Sequence, residues 1–253
     1  MNVLGVGVSA VDLPTAVSTI YYWIATGGRH YVCVSGVHGV MASQRDDTLR
    51  QIHNAAGMVT PDGMPLVWLG RRAGHHQMER VYGPDLLLAC CAARGATGAR
   101  HFFFGSIPAV TERLVDRLKA MFPALTVAGT YSPPFRPVTA AEDEDIVRAI
   151  NESKPDIVWV GLGTPKQERW MSEHLGRISA PVMIGVGAAF DFLSGTKRQA
   201  PLWMQRSGLE WAFRLASEPG RLGPRYLVNN PAFVWRVLQQ KLGVKRYELD
   251  QRS

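Results

Sequence analysis

Residues 158–170 read VWVGLGTPKQERW, and this stretch decides the fold. An apolar run, Ile157 to Val160, stops at Gly161-Leu162-Gly163. Thr164-Pro165 then opens a polar, helix-prone segment carrying Lys166, Gln167, Glu168 and Arg169. The pattern predicts a buried strand, a tight glycine turn and a helix start, with Thr164 as N-cap and Pro165 at the first helical position. In a parallel α/β sheet such a junction sits at the carboxyl ends of the strands, where ligands bind. Backbone N–H groups at a helix start favour an anion such as a diphosphate. A well-capped helix with no ligand reads the same residues equally well.

Outward from this junction, apolar runs alternate with helical patterns. Strands are expected at 31–35, 57–60, 100–104, 125–129, 156–160 and 182–186. Helices are expected at 39–55, 84–94, 107–122, 140–153 and 165–175. Alternation at this spacing means an α/β architecture: a Rossmann-like, mostly parallel sheet with helices on both faces. Residues 131–138, YSPPFRPV, are proline-rich and read as a surface loop. After Gly195 the pattern becomes helical and basic, which sets a core at 1–195 and an appendage at 196–253.

The chain has 253 residues, 46% of them hydrophobic, enough for a full core. No apolar run is long enough to span a bilayer. The start, MNVLGVGVSAVDL, has no basic region and Asp12 interrupts it, so no signal peptide is expected. Cys33, Cys90 and Cys91 show no metal-ligand spacing, and a reduced, cytosolic compartment is the expectation. The net charge of +7 is concentrated. Residues 1–194 carry 17 basic and 17 acidic side chains, and residues 195–253 carry 11 and 4. Such a segment seeks phosphates. Its basic residues alternate with Leu222, Tyr226, Phe233 and Trp235, which suits an anionic membrane surface. A basic helix packed on the core fits the same pattern. No nucleic-acid reading module is present, so no nucleic-acid partner is expected.

Several other clusters bear on chemistry. Thr60-Pro61-Asp62-Gly63 ends a short strand; Asp62 is a general base toward a hydroxyl, or part of an Asp-Gly turn. Arg80, in ERVYGPD, offers a bidentate fork to a phosphate, or pairs with Glu79 beside a helix start. Residues 185–192, GVGAAFDF, follow the last core strand. Phe190 stands where a dinucleotide fingerprint needs its third glycine, which speaks against an oxidoreductase. Gly187 and Ala188 still let a ligand approach the backbone, and Asp191 accepts from a base or ribose, or caps the helix. Asp143-Glu144-Asp145 is the one Asp-x-Asp match. It sits at a helix start where acids complement the dipole, so no metal is expected there. His75-His76 have no partners, and no nucleophile elbow occurs.

Together, residues 59–63, 79–86, 160–170, 184–195, 198–201 and 209–225 resemble the WecG/TagA/CpsF glycosyltransferase family (glycosyltransferase family 26), in family order and across most of 31–226. The resemblance implies inverting, metal-independent transfer of a sugar from a UDP-sugar to a polyprenyl-diphosphate-linked saccharide, with no cofactor. It implies a protein on the inner face of the cell membrane, in teichoic-acid-type or exopolysaccharide synthesis. By position, Asp62 matches the family's catalytic base, and Arg80 and Gln167 match polar active-site residues. Gly161, Gly163, Thr164, Gly187, Ala188 and Asp191 lie in the matching turns. Arg214, Arg221 and Arg225 resemble appendage arginines that close over the diphosphate. Relatives carry Thr-x-Asn near the end of the first core strand. Here Ser35-Gly36-Val37-His38 stands there, with Val37 in the asparagine's place and His38 beside it as a substitute contact or a plain loop residue. The alternative class is a non-catalytic nucleotide-sugar- or lipid-binding subunit of a polysaccharide assembly complex. A homo-oligomer is compatible with either.

Overall fold

A computed structural model describes residues 1–93 and 98–249, and of Arg221 and Arg225 the backbone only. The chain opens with a short hairpin, β1 (Asn2–Val3) and β2 (Val6–Gly7). Next come α1 (Leu13–Thr26), β3 (His30–Ser35), α2 (Val37–Ser43), α3 (Asp47–Ala55), β4 (Met58–Pro61) and α4 (Met64–Arg72). The middle runs α5 (Gly83–Ala92), β5 (Arg100–Gly105), α6 (Pro108–Met121), β6 (Thr126–Tyr131), α7 (Ala140–Glu152), β7 (Ile157–Gly161), α8 (Lys166–His174), β8 (Val182–Gly185) and α9 (Ala189–Ser194). It closes with α10 (Leu202–Arg206), α11 (Glu210–Ser217) and α12 (Pro219–Lys241). Two compact units result. Unit 1 holds residues 1–12, 35–82 and 199–253; unit 2 holds 13–34 and 83–198.

Unit 2 contains the parallel strands in the order β3-β8-β7-β5-β6. Register is fixed by pairs such as Phe104↔Val160 and Val160↔Gly185. Ile157, Val158, Trp159 and Val160 are all fully buried, as are Val182 and Ile184. Continuous burial on both sides explains why these strands read as unbroken apolar runs. Helices α1, α5, α9 and α6 touch in series, while α8 packs on β7 and β8. The α/β architecture expected from the alternation is therefore present.

Unit 1 is assembled from distant pieces of chain. Asn54 on α3 accepts from Gly7 N–H at 2.8 Å and donates to Gly5 C=O at 2.8 Å, fixing the hairpin. Helix α12 packs on α2, and its Gln240 accepts from Leu4 N–H at 3.1 Å. Two local expectations change. The helix expected over 39–55 is two helices, because Asp46 accepts from Leu49 N–H at 3.0 Å and restarts the winding as a new N-cap. Helix α1 was not expected at all; its β-branched Thr15, Val17, Thr19 and Ile20 blur the helical signal. The last residue expected in the helix at 84–94 lies outside the described residues.

Candidate active site

In unit 2, the strand-turn-helix of the opening stretch is present but differently capped. β7 ends at Gly161, and Gly163 has φ +76°, a conformation that favours glycine. The Thr164–Pro165 bond is cis, and Pro165, not Thr164, is the N-cap of α8. This overturns the expected cap. The Thr164 hydroxyl donates to Glu168 Oε1 at 2.9 Å instead of accepting from a helix N–H.

Gln167 organises the turn. Its Oε1 accepts from Gly163 N–H at 3.1 Å and from Gly187 N–H at 2.9 Å, joining the turns after β7 and β8. Its Nε2 donates to Glu168 Oε1 at 3.1 Å. Only 2% of Gln167 is exposed, and Glu168 is fully buried. The Gly163 N–H that the sequence offered to an anion is thus met by a side chain. Gly185 leaves room for this amide: a Cβ there would lie 3.0 Å from Gln167 Nε2. Gly161 likewise makes way for the Phe190 ring, which lies 2.8 Å from where its Cβ would be. Ala188 is the N-cap of α9 and Gly187 has φ +53°. Asp191, in the first turn of α9, sits 3.2 Å from Lys197 Nζ. Burial, and then the Glu168 charge, push the Cys33 thiol well above its ordinary range, so it is no nucleophile.

In unit 1, Asp62 directly follows β4. Its backbone N–H donates to Ser35 C=O at 3.1 Å, which seats it beside the carboxyl end of β3. Its carboxylate lies along Gly36, where a Cβ would come within 3.7 Å of Oδ2. Arg80 packs against the same corner. Its Nε donates to Asp62 C=O at 2.8 Å, Nη1 to Gln205 Oε1 at 2.9 Å, and Nη2 to Glu210 Oε2. The guanidinium lies 3.9 Å from the centre of the Tyr82 ring. The Tyr82 hydroxyl is held protonated by burial, then by the charges of Glu210 and Asp62, against Arg80 and Arg214. Those five side chains therefore share one electrostatic neighbourhood. Glu79 does not pair with Arg80; it lies 3.7 Å from Arg71. His38, in the first turn of α2, has Asn229 of α12 at 3.4 Å from its Nδ1. Arg221 and Arg225 lie on α12, and their side chains are outside those described.

The acidic run at the start of α7 is spoken for. Glu142 completes a capping box with Thr139, Asp143 meets Arg177 at 2.7 Å and His174 at 3.0 Å, and Glu144 meets Arg177 at 2.7 Å. Among the described residues no three His, Cys, Asp or Glu side chains gather as a metal ion requires.

Four residues of the site were not singled out from sequence: Tyr82, Gln205, Glu210 and Glu168. Tyr82, Glu210 and Glu168 stand inside the quoted motifs, adjacent to or near the residues that were chosen. Gln205 carries no sequence signal, because its role depends on an arginine 125 positions away.

Unit 1 carries a strand-end carboxylate held by an arginine, and unit 2 carries two glycine turns after parallel strands. The comparisons make the class specific. The sequence model of the glycosyl transferase WecG/TagA/CpsF family matches residues 1–247, and the chain belongs to that family. It is a glycosyltransferase. It is 30% identical to an N-acetylglucosaminyldiphosphoundecaprenol N-acetyl-beta-D-mannosaminyltransferase of Bacillus spizizenii, over 74% of this chain and 70% of the relative. Proteins of the same name in Staphylococcus aureus and Bacillus subtilis are each 27% identical. The first match covers 78% of this chain and 74% of the relative, the second 81% and 78%.

Proposed function

We propose that this protein transfers a sugar from a UDP-sugar to a polyprenyl-diphosphate-linked saccharide, with inversion and without a metal ion. Asp62 takes the proton from the acceptor hydroxyl. That oxygen attacks the anomeric carbon from the face opposite UDP, the carbon–oxygen bond to UDP breaks, and UDP leaves with the electron pair. The observation that carries this reading is the seat of Asp62: a strand-end carboxylate whose backbone carbonyl is held by Arg80. The names of the relatives support the acceptor class, since each acts on a GlcNAc-diphosphoundecaprenol. Arg214, with Arg221 and Arg225, supplies the positive charge that a departing diphosphate needs. In unit 2 the Gly161, Gly163, Thr164, Gly187, Ala188 and Asp191 backbone and side chains are the proposed nucleotide surface. There Gln167 shapes the turn, its own polar atoms already engaged.

The acceptor is lipid-linked, so the enzyme works at the cytoplasmic membrane surface. No helix among the described residues is long and apolar enough to cross a membrane. Residues 196–253 instead offer exposed Trp203, Leu227 and Trp235, the first two 64% and 71% exposed, beside Arg236 and Lys241. This mixture suits the interface of an anionic bilayer. The test is a panel of UDP-sugars, UDP-N-acetylmannosamine included, offered with polyprenyl-diphosphate GlcNAc in anionic vesicles containing EDTA. UDP release with a lengthened lipid-linked product is expected for one donor. Binding of nucleotide and vesicle without product for any donor would make the chain a binding subunit instead.

A further inference from the structure

Arg80 is tied to the C-terminal segment more firmly than a ligand-binding arginine requires. Its side chain is only 13% exposed, and that of its partner Glu210 is 16% exposed. Gln205 is buried, and its Nε2 donates to Ala200 C=O at 2.7 Å. That bond fixes the amide so that Oε1 faces the guanidinium. Glu210 stands in the first turn of α11, where the helix dipole favours a carboxylate. Together with the Asp62 carbonyl, these partners take three of the five N–H donors of a guanidinium and leave two for a ligand.

We infer that Gln205 and Glu210 are positioning residues for the transfer reaction, acting through Arg80 to hold the Asp62 strand end in its working place. The chain of contacts is continuous within unit 1. Gln205 and Glu210 fix two nitrogens of Arg80; the planar group then has no freedom to turn away from the Tyr82 ring; its third nitrogen grips the Asp62 carbonyl. The carboxylate's seat, set otherwise by the Asp62 N–H bond to Ser35, thus depends on residues 125 and 130 positions downstream of Arg80. Residues 199–253 would then contribute more than membrane contact: without α10 and α11 in place, Arg80 holds Asp62 by itself and with surplus charge.

This inference rests on the transfer reading, and its test separates the two. Glu210→Gln, Glu210→Asp, Gln205→Met, Arg80→Ala and the double variant Arg80→Ala/Glu210→Gln are assayed in the full chain. Hydrogen exchange at the Asp62 amide is measured in each. Glu210→Gln is expected to lower kcat about tenfold with the donor KM changed less than twofold, and Glu210→Asp to recover most of it. In the Arg80→Ala background the Glu210 change should add less than a twofold loss. The Asp62 amide should exchange at least tenfold faster in Glu210→Gln and in Gln205→Met. If Glu210→Gln does not fold, Gln205→Met decides on the same two readouts. Unchanged kcat and unchanged exchange in folded variants would overturn the inference, and so would losses that multiply in the double variant. If wild type transfers no sugar, the transfer reading fails, and amide exchange alone decides whether these residues seat Asp62.

Discussion

The turn that follows β7 is held by a neutral amide, and the turn that follows β4 by a guanidinium. Gln167 closes the first by accepting two glycine N–H bonds, almost wholly out of water. Arg80 closes the second by donating to a backbone carbonyl, an amide and a carboxylate, with water still reaching Asp62. A buried amide whose oxygen and nitrogen are both bonded keeps a backbone in shape but has few polar atoms left for a substrate. A charged one still in touch with water can take a proton or face a diphosphate, because its groups keep spare bonding capacity. In the proposed function, the chemistry falls to unit 1 and the shaping of the nucleotide surface to unit 2.

Apart from the base itself, the largest effect is expected at Gln167. Gln167→Leu leaves the Gly163 and Gly187 N–H groups without their acceptor. At roughly 1–3 kcal/mol per unpaired group, it should lose about 2–6 kcal/mol in urea unfolding. A variant that unfolds like wild type yet cannot turn over would break the comparison, because the amide would then be chemical. A second effect is set by His101 in the core of unit 2. Burial pushes its pKa down from 6.5 to about 4, and its Nδ1 accepts from Trp159 Nε1 at 3.0 Å. The unfolded chain binds this proton first, so stability is complete above pH 6.5 and declines as pH falls toward 4. The loss is about 3 kcal/mol at 1.36 kcal/mol per unit. Urea melts at pH 7 and pH 4.5 check it: the slope should flatten in His101→Gln. The smallest effect sharpens the contrast from outside. Glu79 and Arg71 form an exposed pair at 3.7 Å, so Glu79→Gln should change stability by less than about 0.5 kcal/mol and leave turnover intact. A large loss of activity there would extend the charged half beyond Arg80.

The sheet was legible because parallel strands are buried on both faces and therefore spell continuous apolar runs. Ile157 to Val160 and Val182 to Ile184 needed no other signal. Helix ends were less legible where one side chain overrides the pattern, as Asp46 does between α2 and α3. The cap at Thr164 failed for a related reason. A threonine before proline reads as an N-cap, but a buried glutamate four residues on offered its hydroxyl a better partner. For the site, sequence motifs named Asp62, Arg80 and Gln167 but not how they are held. The partners of Arg80 lie 125 and 130 residues away in sequence, a pairing that no local periodicity encodes. Gln167 shows the converse. Its position in the turn was plain, yet its burial, which makes it a brace between two glycines, depends on β7 and β8 being neighbours in the sheet.

The most direct measurement is the single-turnover rate of sugar transfer by Asp62→Asn beside wild type, at saturating donor and lipid-linked acceptor. A positioned general base contributes about 10²–10⁴-fold. The account predicts a loss on the order of 10³-fold with unchanged thermal unfolding, since the variant keeps the backbone bonds to Ser35 and Arg80. Transfer within tenfold of wild type by a folded Asp62→Asn protein would contradict it.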